Sequence, residues 1–255
     1  MPSAFRLLVA LLLLLASTGH APMSVRAQSP PPAADALSVL VFSKTTGYRH
    51  ASIPDGIAMF DTLAARHGWR VQATEDASAF RAERLAEVDV VVFLSTTGNV
   101  LDPTGEQALR QFVHRGGGFV GIHAASDTEY DWPWYGRLVG AYFAGHPAVQ
   151  RATVRVEDPS HPSTRMLPAT WERRDEWYDF RTNPRDSVRV LATLDASTYE
   201  GGSMGDDHPI AWCRAVDGGR SWYTGGGHTA ASFRDRLFRA HVAGGVRWAA
   251  GRAGE

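Results

Sequence analysis

Three short runs of branched and aromatic residues, LSVLVF at 37–42, VDVVVFL at 88–94 and FVGIH at 119–123, are separated by segments of helical periodicity. A strand that is apolar at nearly every position must be covered on both faces, which happens when a parallel sheet lies between helices. The expected fold is therefore α/β, a flavodoxin-like sandwich with a mainly parallel central sheet. Ser52 is placed to cap a helix entered through Ile53 and Pro54, in which Ile57, Phe60, Leu63 and Ala64 recur at helical spacing towards Gly68. Residues 69–73 read as the second strand and 80–85 as a short helix. Asp102-Pro103 opens a helix with Leu109, Phe112 and Val113 inward, and Gly116-Gly117-Gly118 closes it. Beyond Asp127 the alternation loosens. A short helix begins at 132–135 and runs towards Val139, strands are expected at 149–157, 187–193, 210–213 and 221–223, and a helix over 233–248 ends the chain.

The first 27 residues have a different character. Arg6 precedes an apolar run at 7–16, and Val25-Arg26-Ala27 offers small side chains where a signal peptidase reads. Residues 1–27 are expected to be a cleaved export signal, its apolar run being shorter than the roughly 20 residues of a membrane span. Residues 28–36, with consecutive prolines, are expected to be an extended tether, and 37–251 the α/β domain. The expected location is periplasmic or secreted, with no stable membrane span after cleavage. A formal charge of -1 implies no basic face and no nucleic-acid partner. The single cysteine, Cys213, excludes an internal disulfide, a zinc knuckle and a redox pair.

In an open α/β sheet the ligand crevice lies beyond the carboxyl ends of the strands. This selects the loops SKTTGYRH at 43–50, STTGN at 95–99 and HAASD at 123–127, and with them Lys44, Tyr48, His50, Thr97, His123 and Asp127. The glycines at 116–118 precede their strand, so they cannot form the nucleotide fingerprint, which follows a strand and opens a helix. The turn GIHAA at 121–125 resembles a nucleophile elbow with histidine at its apex. Cys213 lies in another segment, so amide hydrolysis through a thiol is excluded and His123 is kept as general base, general acid or metal ligand. His146, His161 and His208 each precede proline, whose geometry aims their rings, and His228 follows three glycines. A turn histidine bonded to backbone is the plainer reading of each. Asp175-Glu176-Trp177-Tyr178 reads either as a solvated turn over a hydrophobic anchor or as a carboxylate beside sugar-stacking rings.

KTTGYRH at 44–50 with Ser52-Ile53, GGGFVGIHAASD at 116–127, WYG at 134–136, HP at 146 and at 161, DEWY at 175–178, HPIAW at 208–212 and GHT at 227–229 together resemble the ThuA-like, or trehalose-utilisation, family. The resemblance implies a fold related to class I glutamine amidotransferases without their thiol. It also implies carbohydrate chemistry, on disaccharides or glycosides that a sugar 3-dehydrogenase of the same pathway has oxidised to 3-keto sugars. The expected catalytic groups are then His123, His50, Glu176 and Asp127. The expected substrate contacts are Lys44, Tyr48, Thr97, Trp134, Trp177, Tyr178, His208 and His228. No cofactor is certain from the sequence; a divalent metal on His123, His146 and Glu176 would suit this chemistry. A 3-keto group acidifies the neighbouring C2 proton, so a base can generate an enediolate that eliminates, hydrolyses or isomerises. Two other readings stand beside this enzyme: a carbohydrate-binding protein that stacks sugars on Trp134, Trp177 and Tyr178, and an accessory subunit of an exported dehydrogenase.

Overall fold

The computed structural model describes residues 36–252; the expected signal and residues 28–35 of the expected tether lie outside the described residues. The elements follow in the order β1 (Ser38–Phe42), α1 (Ile53–His67), β2 (Arg70–Thr74), α2 (Ala82–Leu85), β3 (Val90–Leu94), α3 (Pro103–His114), β4 (Gly118–Ile122), α4 (Pro133–Val139) and β5 (Phe143–Gly145). The second half adds β6 (Gln150–Val156), β7 (Thr170–Asp175), β8 (Asp179–Phe180), β9 (Arg189–Leu194), β10 (His208–Val216), β11 (Gly219–Thr224), α5 (Ala230–Arg234) and α6 (Arg236–Ala249).

Every residue of β3 and β4 is buried, the burial that their uninterrupted apolar runs demand. Nine strands form one sheet in the order β2-β1-β3-β4-β11-β10-β9-β6-β7. The sheet is parallel from β2 to β11 and antiparallel from β11 to β7, so it has a doubly wound half and a meandering half. Asp102 accepts a hydrogen bond from the Gly105 amide and caps α3. After α3 the chain reverses through Gly116 at φ 97°, which a side chain would strain.

Three local expectations change. Ser52 sits at the helix entrance without capping it, and its hydroxyl instead faces the Gly227 carbonyl at 3.5 Å. The last helix is two helices, because Asp235 is extended and its carboxylate accepts from the Phe238 amide at 2.8 Å, starting α6 afresh. Strand β7 was hidden in the sequence TWERRD because Arg173 faces inward, its guanidinium 4.4 Å from the Trp171 ring centroid and 4.3 Å from that of Phe238. Beyond β7, Asp175 bonds to the loop after β11, so the antiparallel half curls over until its edge strand reaches the middle of the sheet.

Candidate functional site

Strand register fixes the height of the site. Phe42 pairs with Phe93, Leu94 with Ile122 and Ile122 with Thr224, so Ser95, His123 and Gly225 leave the parallel half at one level and Ser43 one residue before it. His123 leaves it at φ 53°, a left-handed conformation that costs a non-glycine residue about 1–2 kcal/mol. The reversal lifts the imidazole over the sheet end at the head of a 3-10 turn, His123–Asp127. The Tyr223 hydroxyl donates to the His123 carbonyl at 2.8 Å and the Tyr135 hydroxyl to the Ala125 carbonyl at 2.6 Å, holding the strained turn from below.

The Gly225 carbonyl, 2.9 Å from His123 Nδ1, can only accept, so Nδ1 carries the proton and Nε2 presents a lone pair. That Nε2 lies 3.2 Å from His228 Nδ1 and 3.4 Å from Glu176 Oε2, while His228 Nδ1 is 2.9 Å from the same carboxylate oxygen. The other carboxylate oxygen lies 3.1 Å from His146 Nδ1. His50 closes the group, its ring edge-on to those of His123 at 4.8 Å and His228 at 5.1 Å. One potential ligand atom from each of His50, His123, Glu176 and His228 lies within 4.8 Å of all the others.

Burial opposes a charge on Glu176, yet the hydrogen bond from His228 and the close approach of the His123 and His228 rings outweigh it and hold the carboxyl well below the usual range. The same bond raises His228, against its partial burial. His50 is pushed down to about 3 by burial and by the neighbouring imidazoles of His123 and His228, so it is neutral at physiological pH. Asp127 is raised by burial, only partly offset by the hydrogen bond from Tyr130, whose hydroxyl donates at 2.6 Å. The neutral imidazoles and the carboxylate are the donor set of a borderline divalent ion. Ligands about 2.1 Å from a tetrahedral ion stand about 3.4 Å apart. The contacts among His123, Glu176 and His228, from 2.9 to 3.4 Å, already have that spacing. His50 Nδ1 is buried without a hydrogen-bond partner, as a ligand nitrogen awaiting an ion would be. The residues therefore fit a metal.

Above them opens a cavity of about 290 Å³ walled by Tyr48, His50, Asp127, Phe143, His146, Glu176, Tyr178 and His228. Tyr178 lies over His123 with ring centroids 4.1 Å apart, and its hydroxyl is 3.5 Å from His50 Nε2. Tyr48 is 66% exposed at the mouth, and the Thr97 hydroxyl donates to its carbonyl at 2.8 Å, so Thr97 supports the wall from behind.

Other expected site residues lie elsewhere. Lys44 donates to the Val100 carbonyl at 3.1 Å and does not reach the cavity wall. Trp134 is buried, donating at 2.7 Å to Asp217 in the β10–β11 turn, at the opposite end of the sheet. Trp177 is buried too and donates to the Gln150 carbonyl at 3.0 Å, so neither indole offers a face to a sugar here. His208 has both nitrogens engaged: Nε2 donates to the Tyr178 carbonyl at 2.8 Å and Nδ1 accepts from the Tyr199 hydroxyl at 2.7 Å. It props Tyr178 from below. His146 borders the cluster through Glu176, whereas His228, expected only to touch substrate, stands within it.

The residue that sequence reasoning missed is Asp175. Fully buried, its Oδ1 accepts from the amides of Glu176, His228 and Thr229, and its Oδ2 from the Gly227 amide, the Ser232 hydroxyl and Arg173. These bonds tie the Glu176 backbone to that of His228 and so set two members of the cluster together. Gly227, at φ 116°, lets the loop bend around the carboxylate. An adjacent acidic pair was the available signal, and only Glu176 was drawn from it.

An α/β sheet with a histidine elbow and no thiol at its crest defines the class. Over residues 38–249 the chain matches the ThuA family, described as trehalose utilisation, and it belongs to that family. A ThuA-like protein from Bacteroides uniformis is 26% identical, with a TM-score of 0.72 over 87% of this chain and 95% of that one. A ThuA-like protein from Parabacteroides merdae is 19% identical, with a TM-score of 0.72 over 86% of this chain and 92% of that one. The β-galactosidase of Bacillus circulans shares the fold over 86% of this chain and 32% of its own, at 14% identity and a TM-score of 0.57. No curated protein matches the sequence.

Proposed function

We propose that this protein is an enzyme acting on 3-keto disaccharides or glycosides by histidine-assisted, metal-supported proton abstraction next to the keto group. The observation that carries the reading is the convergence of His50, His123, His228 and Glu176 beside a cavity walled by both titratable and aromatic side chains. Such a buried imidazole–carboxylate set is costly unless an ion or a reaction uses it. Membership of a family described as trehalose utilisation supports the substrate class.

In this reading His50, His123, His228 and Glu176 hold a divalent ion, which when bound supplies positive charge to the keto oxygen and its developing oxyanion. Asp127, on the cavity wall and raised by burial, is the base for the C2 proton. His146, 40% exposed and joined to Glu176, exchanges protons between the cavity and solvent and protonates the leaving oxygen. Phe143 and Tyr178 give the sugar an apolar wall, and Tyr48 lies across its way in. The protein works outside the cytoplasm in this scheme, downstream of a sugar 3-dehydrogenase. Among the described residues no helix is long and apolar enough to cross a membrane.

The test is metal analysis of the purified protein, followed by turnover of a 3-keto disaccharide with and without a chelator. Turnover abolished by the chelator and restored by one divalent ion is expected. Tight sugar binding without turnover in the metal-loaded protein would make it a binding protein.

A further inference from the structure

Away from the histidine cluster, α1, α6 and the turn at 162–166 enclose a second cavity of about 290 Å³ that shares no lining residue with the first. Its rim carries five arginines: Arg66 from the end of α1, Arg165 from the turn, and Arg236, Arg239 and Arg247 from α6. Positions 236, 239, 243 and 247 follow helical spacing, so the α6 arginines lie along one face about 16 Å long. No carboxylate lines this cavity. Elsewhere on the surface Arg49, Arg81, Arg155, Arg185, Arg189 and Arg234 each hold an Asp or Glu, a partner that the five arginines of this rim lack. None of the five forms an ion pair with a described residue; Arg239 spends its Nε on the Phe233 carbonyl at 2.8 Å and keeps its other nitrogens. Burial and the neighbouring charges of Arg165 and Arg66 lower the pKa of Arg247, the direction that unneutralised crowding produces. Between the guanidiniums the floor is apolar, formed by Leu63, Pro162, Ala240 and Ala243, with Met166 standing 60% exposed at the edge.

We infer that this cavity is a binding site for a small organic anion carrying two or more phosphate or carboxylate groups on a compact apolar body. Guanidiniums pair oxyanions through two parallel N–H donors, and arginines spread along a groove match separated acidic groups better than a single one. The floor takes the uncharged part of the ligand. Occupation would neutralise a group of like charges that the protein leaves without acidic partners.

The experiment titrates the full mature chain with inorganic pyrophosphate and with citrate by calorimetry, in parallel with sedimentation on vesicles containing an anionic phospholipid. The comparison variant is Arg165→Gln/Arg247→Gln. Expected are saturable one-to-one binding that weakens with salt, a rise in melting temperature with pyrophosphate or citrate, and at least about tenfold weaker binding in the variant. Without ligand the variant should melt no lower than the parent, because it loses repulsion and no ion pair, and its keto-sugar turnover should be unchanged. Binding that survives in the folded variant, or no binding of either anion, would overturn the site. Vesicle sedimentation without saturable binding of the small anions would overturn it too, showing a membrane-facing surface in place of a ligand cavity.

Discussion

Replacing Asp175 with Asn tests whether one buried carboxylate assembles the histidine cluster. The side chain keeps its shape and loses one acceptor oxygen. If the new amide nitrogen occupies the Oδ2 position, it faces the Gly227 amide, the Ser232 hydroxyl and Arg173; in the Oδ1 position it faces the amides of Glu176, His228 and Thr229. Ser232 can rotate to accept, but backbone amides and guanidinium cannot, so neither orientation satisfies the surrounding donors. At about 1–3 kcal/mol for each unsatisfied buried donor, with Arg173 also deprived of its counter-charge, the loss is about 3–5 kcal/mol. For a domain of this size that lowers the melting temperature by roughly 6–20 °C. The local effect is more specific. The 225–229 loop loses its anchor, so His228 leaves the neighbourhood of Glu176 and metal affinity should fall by roughly 10–100-fold even at temperatures where the variant is folded. Thermal melts and metal titration by calorimetry read the two effects separately. A folded Asp175→Asn protein with parental melting temperature and parental metal affinity would refute the reasoning.

On the proposed function, His123→Asn, which tolerates φ 53° and should fold, loses metal binding and about 10²–10⁴-fold in turnover; an unchanged metal content and rate would reduce His123 to a packing residue of the elbow. Cys213 is buried, with its thiol pushed up to about 12 by burial, so Cys213→Ser should cost about 1–3 kcal/mol of stability and leave turnover intact, and a folded but inactive variant would reinstate thiol chemistry. His241 donates from Nδ1 to the Ser163 carbonyl at 2.9 Å and is pushed down to about 3 by burial, so it stays neutral when folded while its unfolded form takes a proton below about pH 6.5. Its contribution to stability is complete above that pH and is lost at about 1.4 kcal/mol per pH unit as pH falls towards 4. Chemical denaturation between pH 7.5 and 4.5 should show a slope to which buried His50 and His161 add with the same sign, and which His241→Gln reduces by about 1.4 kcal/mol per pH unit; equal slopes in parent and variant would remove His241 as a cause.

The parallel half was legible because β3 and β4 are buried at every position and β1 at every position after Ser38, so their runs are almost wholly apolar. Topology alone then brought His50 and His123 towards one crevice. The antiparallel half obeys no such pattern: β7 buries an arginine, stacked on Trp171 and Phe238, where periodicity would ask for an aliphatic residue. Since β7 delivers Asp175 and Glu176, the acidic side of the site was out of reach of periodicity and rested on resemblance. His208 and His228 were indistinguishable as sequence, two histidines flanked by proline or glycine; long-range partners make one a buried prop with both nitrogens bonded and the other a member of the cluster. Trp134 and Trp177 were read as sugar platforms because tryptophan serves both cores and ligands, and only burial separates the two uses.

Strand β11 is the last strand among the described residues and lies in the middle of the sheet, between β4 and β10. During synthesis, β1 to β4 can assemble early, but β4 keeps an open hydrogen-bonding edge until residues 219–224 arrive. Residue 228 follows just behind them, so the histidine cluster is completed at the same late moment as the sheet. A chain truncated before β11 would expose a strand edge prone to self-association and would also lack a wall of the cavity. Intermediate chains therefore lack the assembled cluster, whose formation marks the arrival of the strand that closes the sheet.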